Sequence, residues 1–405
     1  MKTFWRFTPL IVFLIFASCG QRSIPTLPQA SNKLPSISAT LLPLDILKGS
    51  TNVIPDWRDL EKFATVPRFE RYFKGLQRTH DFSGTVLIAD RGKIIHTGAY
   101  GYANLKRKDT LTVDSQFQLA SVSKMFTATA ILMLYEEGKL DLDTEIWTLL
   151  PDFPYESITV RHLLTHRSGL ARYMGLGDQY WNKKYFMDHG DVVGLFQKHE
   201  PRLWASAGRR FKYSNSNYAI LAAIVEEVSG IGFDQFLAKK IFEPLGMDNS
   251  RAYNWVKEKR KPGQVLGYVK KRRRYIPAGG DYLDGVLGDK GVHSSVVDLF
   301  KFDRALYEGT LLRPETMDLA FQPGSPNRRG QNYGFGWRMK SWMPGLVYHF
   351  GWWRGFRTCF IRDMQAERTV ILLSNQFNSG KALNYWNIYH YINRFTKEVT
   401  PAGPM

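Results

Sequence analysis

The sequence predicts an α+β fold, an α/β sandwich in which an antiparallel sheet built from both chain ends is flanked by helices and interrupted by a mainly helical region. Three observations predict it. Gly84–Asp90 and Lys93–Gly98 are short β-branched runs separated by Arg91-Gly92, the pattern of a hairpin. Arg357–Arg362 and Thr369–Ser374, joined across Asp363 to Glu367, repeat that pattern near the other end. Between them the helical segments are Ser121–Glu137 before Gly138, Val160–Leu164, Ser216–Val228 before Gly230, Phe233–Ile241, and Val296–Tyr307 before Gly309. Strands at both ends with helices between them imply one sheet closed by the two chain termini.

Composition sets the bounds. A chain of 405 residues with 44% apolar and 14% aromatic residues is long enough to bury a large core. Gly and Pro follow no period and no segment repeats, which excludes collagen-like, solenoid and propeller architectures. The net charge of +18 is partly local, in Lys257, Lys259, Arg260 and Lys261 and then Lys270, Lys271, Arg272, Arg273 and Arg274. Such a run reads as a solvated basic loop. No zinc-finger Cys and His pairs or aromatic RNP-like strand accompany it, so no nucleic-acid partner is expected.

The N-terminus indicates export. Lys2 and Arg6 precede Leu10–Phe16, an apolar stretch too short to span a bilayer but suited to a signal peptide over residues 1–18. Phe16-Ala17-Ser18-Cys19-Gly20 resembles a bacterial lipobox, which makes Cys19 the expected lipidation site and the lipid the expected contact with a membrane. With Cys19 acylated only Cys359 remains, so no intramolecular disulfide can form, and Cys359 in its apolar strand is expected to be buried and inert. The lipidated Cys and a Ser-, Pro- and Thr-rich tether cover 19–55; the folded domain is expected over 56–395, with its helical insertion at about 140–290 and a tail at 396–405. Gly20 is not the Asp that signals inner-membrane retention, so the expected location is the outer membrane, facing the periplasm.

Three short motifs carry chemistry. In Ser121-Val-Ser-Lys124 the i, i+3 spacing brings the amine to the hydroxyl on one helix face, and a neutral lysine can take the serine proton. The helix N-terminus favours an oxyanion at that serine. Tyr213-Ser-Asn215 lies in a loop just before a helix, where a phenol beside a lysine makes a proton shuttle and an amide can hold a carbonyl or the lysine. His349-Phe-Gly351, followed by Trp352-Trp353, is an apolar strand that presents one polar side chain and a close-approaching backbone.

In this order and at these separations the motifs resemble those of the serine β-lactamase-like family: class C β-lactamases, D-alanyl-D-alanine carboxypeptidases, D-aminopeptidases and family VIII esterases. The resemblance covers about 70–390. It includes His162-Leu-Leu-Thr-His-Arg-Ser-Gly-Leu170, Gly288-Asp-Lys-Gly-Val-His-Ser-Ser295 with Asp298-Leu299, and Val370-Ile-Leu-Leu-Ser-Asn375. It implies a β-lactamase/DD-peptidase-like fold and a serine hydrolase that works without a cofactor through an acyl-enzyme on Ser121. Lys124 and Tyr213 would exchange the proton, Asn215 and His349 would bind substrate with Gly351 beside them, and the backbone N–H groups of Ser121 and Trp352 would form the oxyanion hole. The substrate would be a small molecule or a peptidoglycan peptide. Where efficient class C enzymes have K-T-G, this chain has His349 and Phe350, which cannot replace both cation and hydroxyl; esters and D-amino-acid amides or peptides are expected over β-lactams. A penicillin-binding or sensing lipoprotein that acylates without efficient turnover is the alternative. His162 and His166 share the i, i+4 spacing of a zinc helix, but Leu163 stands where H-E-x-x-H needs Glu, so no metal is expected. No G-x-S-x-G elbow occurs.

Overall fold

A computed structural model describes residues 66–253, 264–325, 330–377 and 383–399. Residue Cys19, the leader, the tether, Lys257, Lys259, Arg260 and Lys261 lie outside the described residues.

The apolar strand runs pair into a seven-stranded, wholly antiparallel sheet. Its order is Gln331–Tyr333, Arg338–Lys340, Leu346–Trp353, Phe356–Asp363, Arg368–Ser374, Gly84–Asp90, Lys93–Tyr100. The register runs from Gly84 opposite Ser374 to Asp90 opposite Arg368, so among the described residues the first strand lies beside the last long one, as strands at both chain ends imply.

Every residue of Gly84–Asp90 and Arg368–Ser374 is buried, because both sheet faces are covered. Alternate side chains enter different layers. Val86, Ile88, Ile361, Val370 and Leu372 join the cluster under the terminal helices Pro67–His80 and Tyr385–Val399. Leu87, Ala89, Phe360, Ile371 and Leu373 face the helical region. Phe69, Phe73 and Leu76 put one stripe of the first helix onto the sheet, and Tyr72 stacks on Tyr391 of the last helix at 3.8 Å.

Two helices of the inner layer, Lys124–Glu136 and Asn215–Ser229, are apolar almost all round and correspondingly buried. Helix Val296–Glu308 packs on the sheet through the buried pair Asp303–Arg362 at 2.6 Å, with Thr369 Oγ1 donating to the second Asp303 oxygen at 2.6 Å. Gly230 and Gly309 end their helices at φ 72° and 68°, positions where a Cβ would be strained.

Several expectations shift. The Phe233–Ile241 prediction becomes a helix over Phe233–Leu237 that widens into a π turn over Ala238–Phe242. A helix that local pattern did not mark runs over Tyr173–Tyr180, and Lys270–Arg274, read as a loop, form the tip of a hairpin between Tyr268–Lys271 and Arg274–Pro277. Cys359 is buried, and desolvation pushes its thiol well above the ordinary range.

Candidate active site

Ser121 lies not in the α-helix itself but in a 3-10 turn, Ala120–Ser123, that leads straight into it. Ala120 enters the turn at φ 51°, a left-handed conformation costly for alanine, with its N–H donating to Gln118 Oε1 at 2.9 Å. The surroundings hold that conformation. Leu119 N–H donates to Val292 O at 2.8 Å, Thr358 Oγ1 donates to Leu119 O at 2.6 Å, and Val292 N–H donates to Ser123 Oγ at 3.1 Å. Gly351 lies directly beneath the turn: a Cβ there would collide with Thr358 Oγ1 and Leu119 O and come within 3.1 Å of Ala120 Cβ. Its glycine is what lets the serine turn rest on the sheet.

Lys124 is fully buried, and its Nζ lies 3.2 Å from Ser121 Oγ, 3.0 Å from Asn215 Oδ1 and 2.6 Å from the Asp289 carbonyl. Two of those atoms only accept, while the hydroxyl can also donate. The set therefore suits a neutral amine, which donates twice and accepts the Ser121 proton, as well as an ammonium, which donates three times. Asn215 is the first residue of helix Asn215–Ser229 rather than part of the loop before it, with Ser214 at the cap position, so its amide is set by the helix.

Tyr213 comes in from that loop with its ring centroid 5.2 Å from Lys124 Nζ and 4.5 Å from Arg338 Cζ. Its buried hydroxyl has no hydrogen-bond partner among the described residues. Lys124 and Arg338 thus both lie against the Tyr213 ring.

His349 is fully buried, and both its ring nitrogens are taken by the protein. Nδ1 lies 2.9 Å from the Phe350 carbonyl and Nε2 lies 3.0 Å from Tyr333 Oη. A carbonyl can only accept, so the proton is assigned to Nδ1 and Tyr333 donates to Nε2. Burial, then the charges of Arg338 and Lys124, hold His349 neutral, well below the usual histidine range. Phe350 faces the other side of the sheet against Tyr385 and Trp386, which removes it from comparison with the hydroxyl of K-T-G. Trp352 is 65% exposed, whereas Trp353 is tied down by its Nε1–H donating to Asp284 Oδ1 at 2.6 Å.

A profile of the Beta-lactamase family matches residues 69–391. The chain belongs to the beta-lactamase family. It is 35% identical over 321 residues to penicillin-binding protein 4* of Bacillus subtilis, covering 75% of this chain and 70% of that protein. It is 26% identical over 316 residues to a D-aminopeptidase of Gluconobacter oxydans, covering 74% of this chain and 56% of the relative. The fold matches the crystal structure of a penicillin binding protein from Bacillus halodurans with a TM-score of 0.69 at 24% identity, covering 80% of this chain and 99% of that one. This beta-lactamase-family chain is thus an α+β serine hydrolase.

Within this beta-lactamase-family site the structure adds residues that the motifs did not disclose. His166, at φ 56°, accepts from Ser214 N–H at 3.3 Å and Asn217 Nδ2 at 3.1 Å through Nδ1, and its ring lies 4.3 Å from that of Tyr213. Burial holds this imidazole neutral too. Helix Val160–Leu164 ends before it, so His162 and His166 do not share a helical face. Among the described residues no group of three His, Cys, Asp or Glu is arranged to hold a metal. Arg338, Tyr333 and Tyr173 also converge here from three different elements, together with Asp289 and Lys290 of the Gly288–Ser295 segment, whose motif gave no sign of a role at the lysine.

Proposed function

We propose that the chain is an envelope-anchored hydrolase that forms an acyl-enzyme on Ser121 and acts on esters or D-amino-acid amides and peptides, with weak β-lactam turnover at most. The observation that carries it is the buried Lys124 Nζ at 3.2 Å from Ser121 Oγ with its other two contacts fixed on carbonyl oxygens. Ser121 Oγ bonds to the substrate carbonyl carbon as its proton passes to Lys124, with Tyr213 beside it in the same path. The oxyanion is held by the backbone N–H groups of Ser121 and Trp352. Collapse breaks the bond to the leaving alcohol or amine, which takes the stored proton. Water then adds to the ester, gives up a proton to the same groups, and leaves a carboxylic acid and free Ser121.

The experiment is intact-mass analysis after incubation with a fluorophosphonate, a penicillin and a p-nitrophenyl ester, alongside steady-state turnover. Labelling by the phosphonate with ester or D-amino-acid amide turnover above that of the penicillin supports the reading. Stable penicillin adducts with a burst and no turnover of any of them would establish the sensing alternative.

Arg338 supplies the fixed cation that His349 does not. We expect Arg338→Met to raise KM about tenfold for a D-amino-acid peptide bearing a free carboxylate, the order of one lost charged hydrogen bond, and to leave the KM of a neutral aryl ester within about twofold. Equal effects on both substrates would remove Arg338 from carboxylate recognition.

Anchoring rests on Lys2, Arg6, Leu10–Phe16 and Cys19. In a bacterial host wild-type protein is expected in the membrane fraction with a mass shift for the acyl chains, and Cys19→Ser without that shift. Identical mature masses would exclude lipidation.

A further inference from the structure

Beneath the proposed site lies a buried ion pair that the reaction does not use. Lys290 and Asp289 have side chains 3% and 0% exposed, with Lys290 Nζ 3.2 Å from Asp289 Oδ1. Tyr173 closes the group: Lys290 Nζ donates to its hydroxyl at 2.7 Å, and that hydroxyl donates to Asp289 Oδ2 at 3.1 Å. The carbonyl of this same Asp289 takes the shortest of the Lys124 bonds, 2.6 Å. A closed circuit results. Lys124 reaches Asn215, the next residue Ser216 accepts from Tyr173 N–H at 2.8 Å, Tyr173 Oη reaches Asp289, and Asp289 O returns to Lys124.

The segment that carries the pair clasps the serine turn. Thr127 Oγ1 donates to Gly288 O at 2.8 Å, and Val292 bonds both Ser123 and Leu119. Gly288, at φ 92°, lies so close to Tyr218 that a Cβ would collide with its carbonyl, leaving the segment little room to shift. Lys290 Nζ also lies 5.0 Å from the Trp353 ring, on the strand that carries Trp352. A buried pair of this kind is weak evidence for stability, since apolar residues often replace one without loss, whereas breaking it leaves an uncompensated charge.

We propose that Lys290, with Asp289 and Tyr173, forms a positioning unit for Lys124, pinning the Asp289 carbonyl on Nζ and, through Trp353, keeping that amine in register with the oxyanion strand. This rests on Lys124 being in the proton path. Without Lys290 the Asp289 carboxylate keeps the Tyr173 hydroxyl as a donor but is left a buried charge without its cation, and its relief shifts the Asp289 carbonyl. The groups facing Lys290 are Asp289, Asp284, Tyr173, Trp353 and Lys124.

The test uses the full chain and a p-nitrophenyl ester. Lys290→Met should lower kcat about 30-fold with KM within about threefold, since a small misplacement of a catalytic group is felt in the chemical step. Tyr173→Phe, which deletes one oxygen, should lower kcat about fivefold. The double variant Asp289→Asn with Lys290→Met, which removes both charges, should recover at least about fivefold over Lys290→Met. A folded Lys290→Met with unchanged kcat, a loss confined to KM, or a double variant no better than the single would overturn the proposal. Should Lys290→Met not fold, Tyr173→Phe decides by the same split, and unchanged kcat there overturns it. Lys124→Met is run in parallel: turnover surviving that change sinks the base assignment itself, whereas its loss beside an active Lys290→Met sinks only the positioning unit.

Discussion

Ser121→Ala should abolish covalent labelling by a fluorophosphonate and lower turnover at least ~10³-fold, the order lost when a serine hydrolase loses its nucleophile. The expectation follows from how the turn is held. Ala120 at φ 51°, the Leu119 backbone bond to Val292, the Ser123 Oγ bond from Val292 N–H and the Gly351 contact are all independent of the Ser121 hydroxyl, so the variant should keep its fold while losing the one oxygen 3.2 Å from Lys124. Lys124→Met and Tyr213→Phe should each lose most activity, and because both serve one proton path their losses should not add. Full labelling of the alanine variant, read by intact mass, would assign the nucleophile elsewhere.

Stability should fall steeply below pH 6.5. His96, His166 and His349 are buried, desolvation being the leading cause in each, with His96 pulled down to about 4 and the other two held well below the usual value. In the unfolded chain all three protonate near ~6.5. Below that pH the unfolded state binds protons that the native state refuses, so unfolding becomes easier as pH drops, by up to about 1.4 kcal/mol per pH unit for each histidine. Three together approach ~4 kcal/mol per unit, a large share of the ~5–15 kcal/mol typical of a folded domain. Melting temperature measured from pH 7.5 to 4.5 should therefore drop sharply at the acid end. Replacing His96, which lies between the Phe69 and Phe73 rings, with Phe should remove about one proton from the slope; a melting temperature flat down to pH 5 would refute the account.

Local pattern carried the parts of the fold that depend on near neighbours. The hairpin over Gly84–Asp90 and Lys93–Tyr100 and helix Val160–Leu164 appear where β-branched runs and helix signals put them, because turn chemistry and periodicity act within a few residues. The same holds for Ser121 and Lys124, whose one-turn spacing alone brings the two groups together. Local pattern does not by itself specify the helices Pro67–His80, Tyr385–Val399 and Tyr173–Tyr180, because such helices are held by packing against a sheet or a second helix already in place.

The chain by itself determined the family, the α+β plan and the three motifs, since each is written in short spacings and in the order of segments. Only the tertiary structure decided how the site is wired. Phe350 faces away from the site and His349 faces inward because successive strand residues enter opposite layers, and which layer covers which face is set by helices far away in the sequence. Lys124 finds the Asp289 carbonyl across 165 residues, Lys290 finds Tyr173 across 117, and Arg338 reaches Tyr213 from the second strand of the sheet. Closing such long loops is repaid only when the whole core assembles, so no local window of sequence records those contacts.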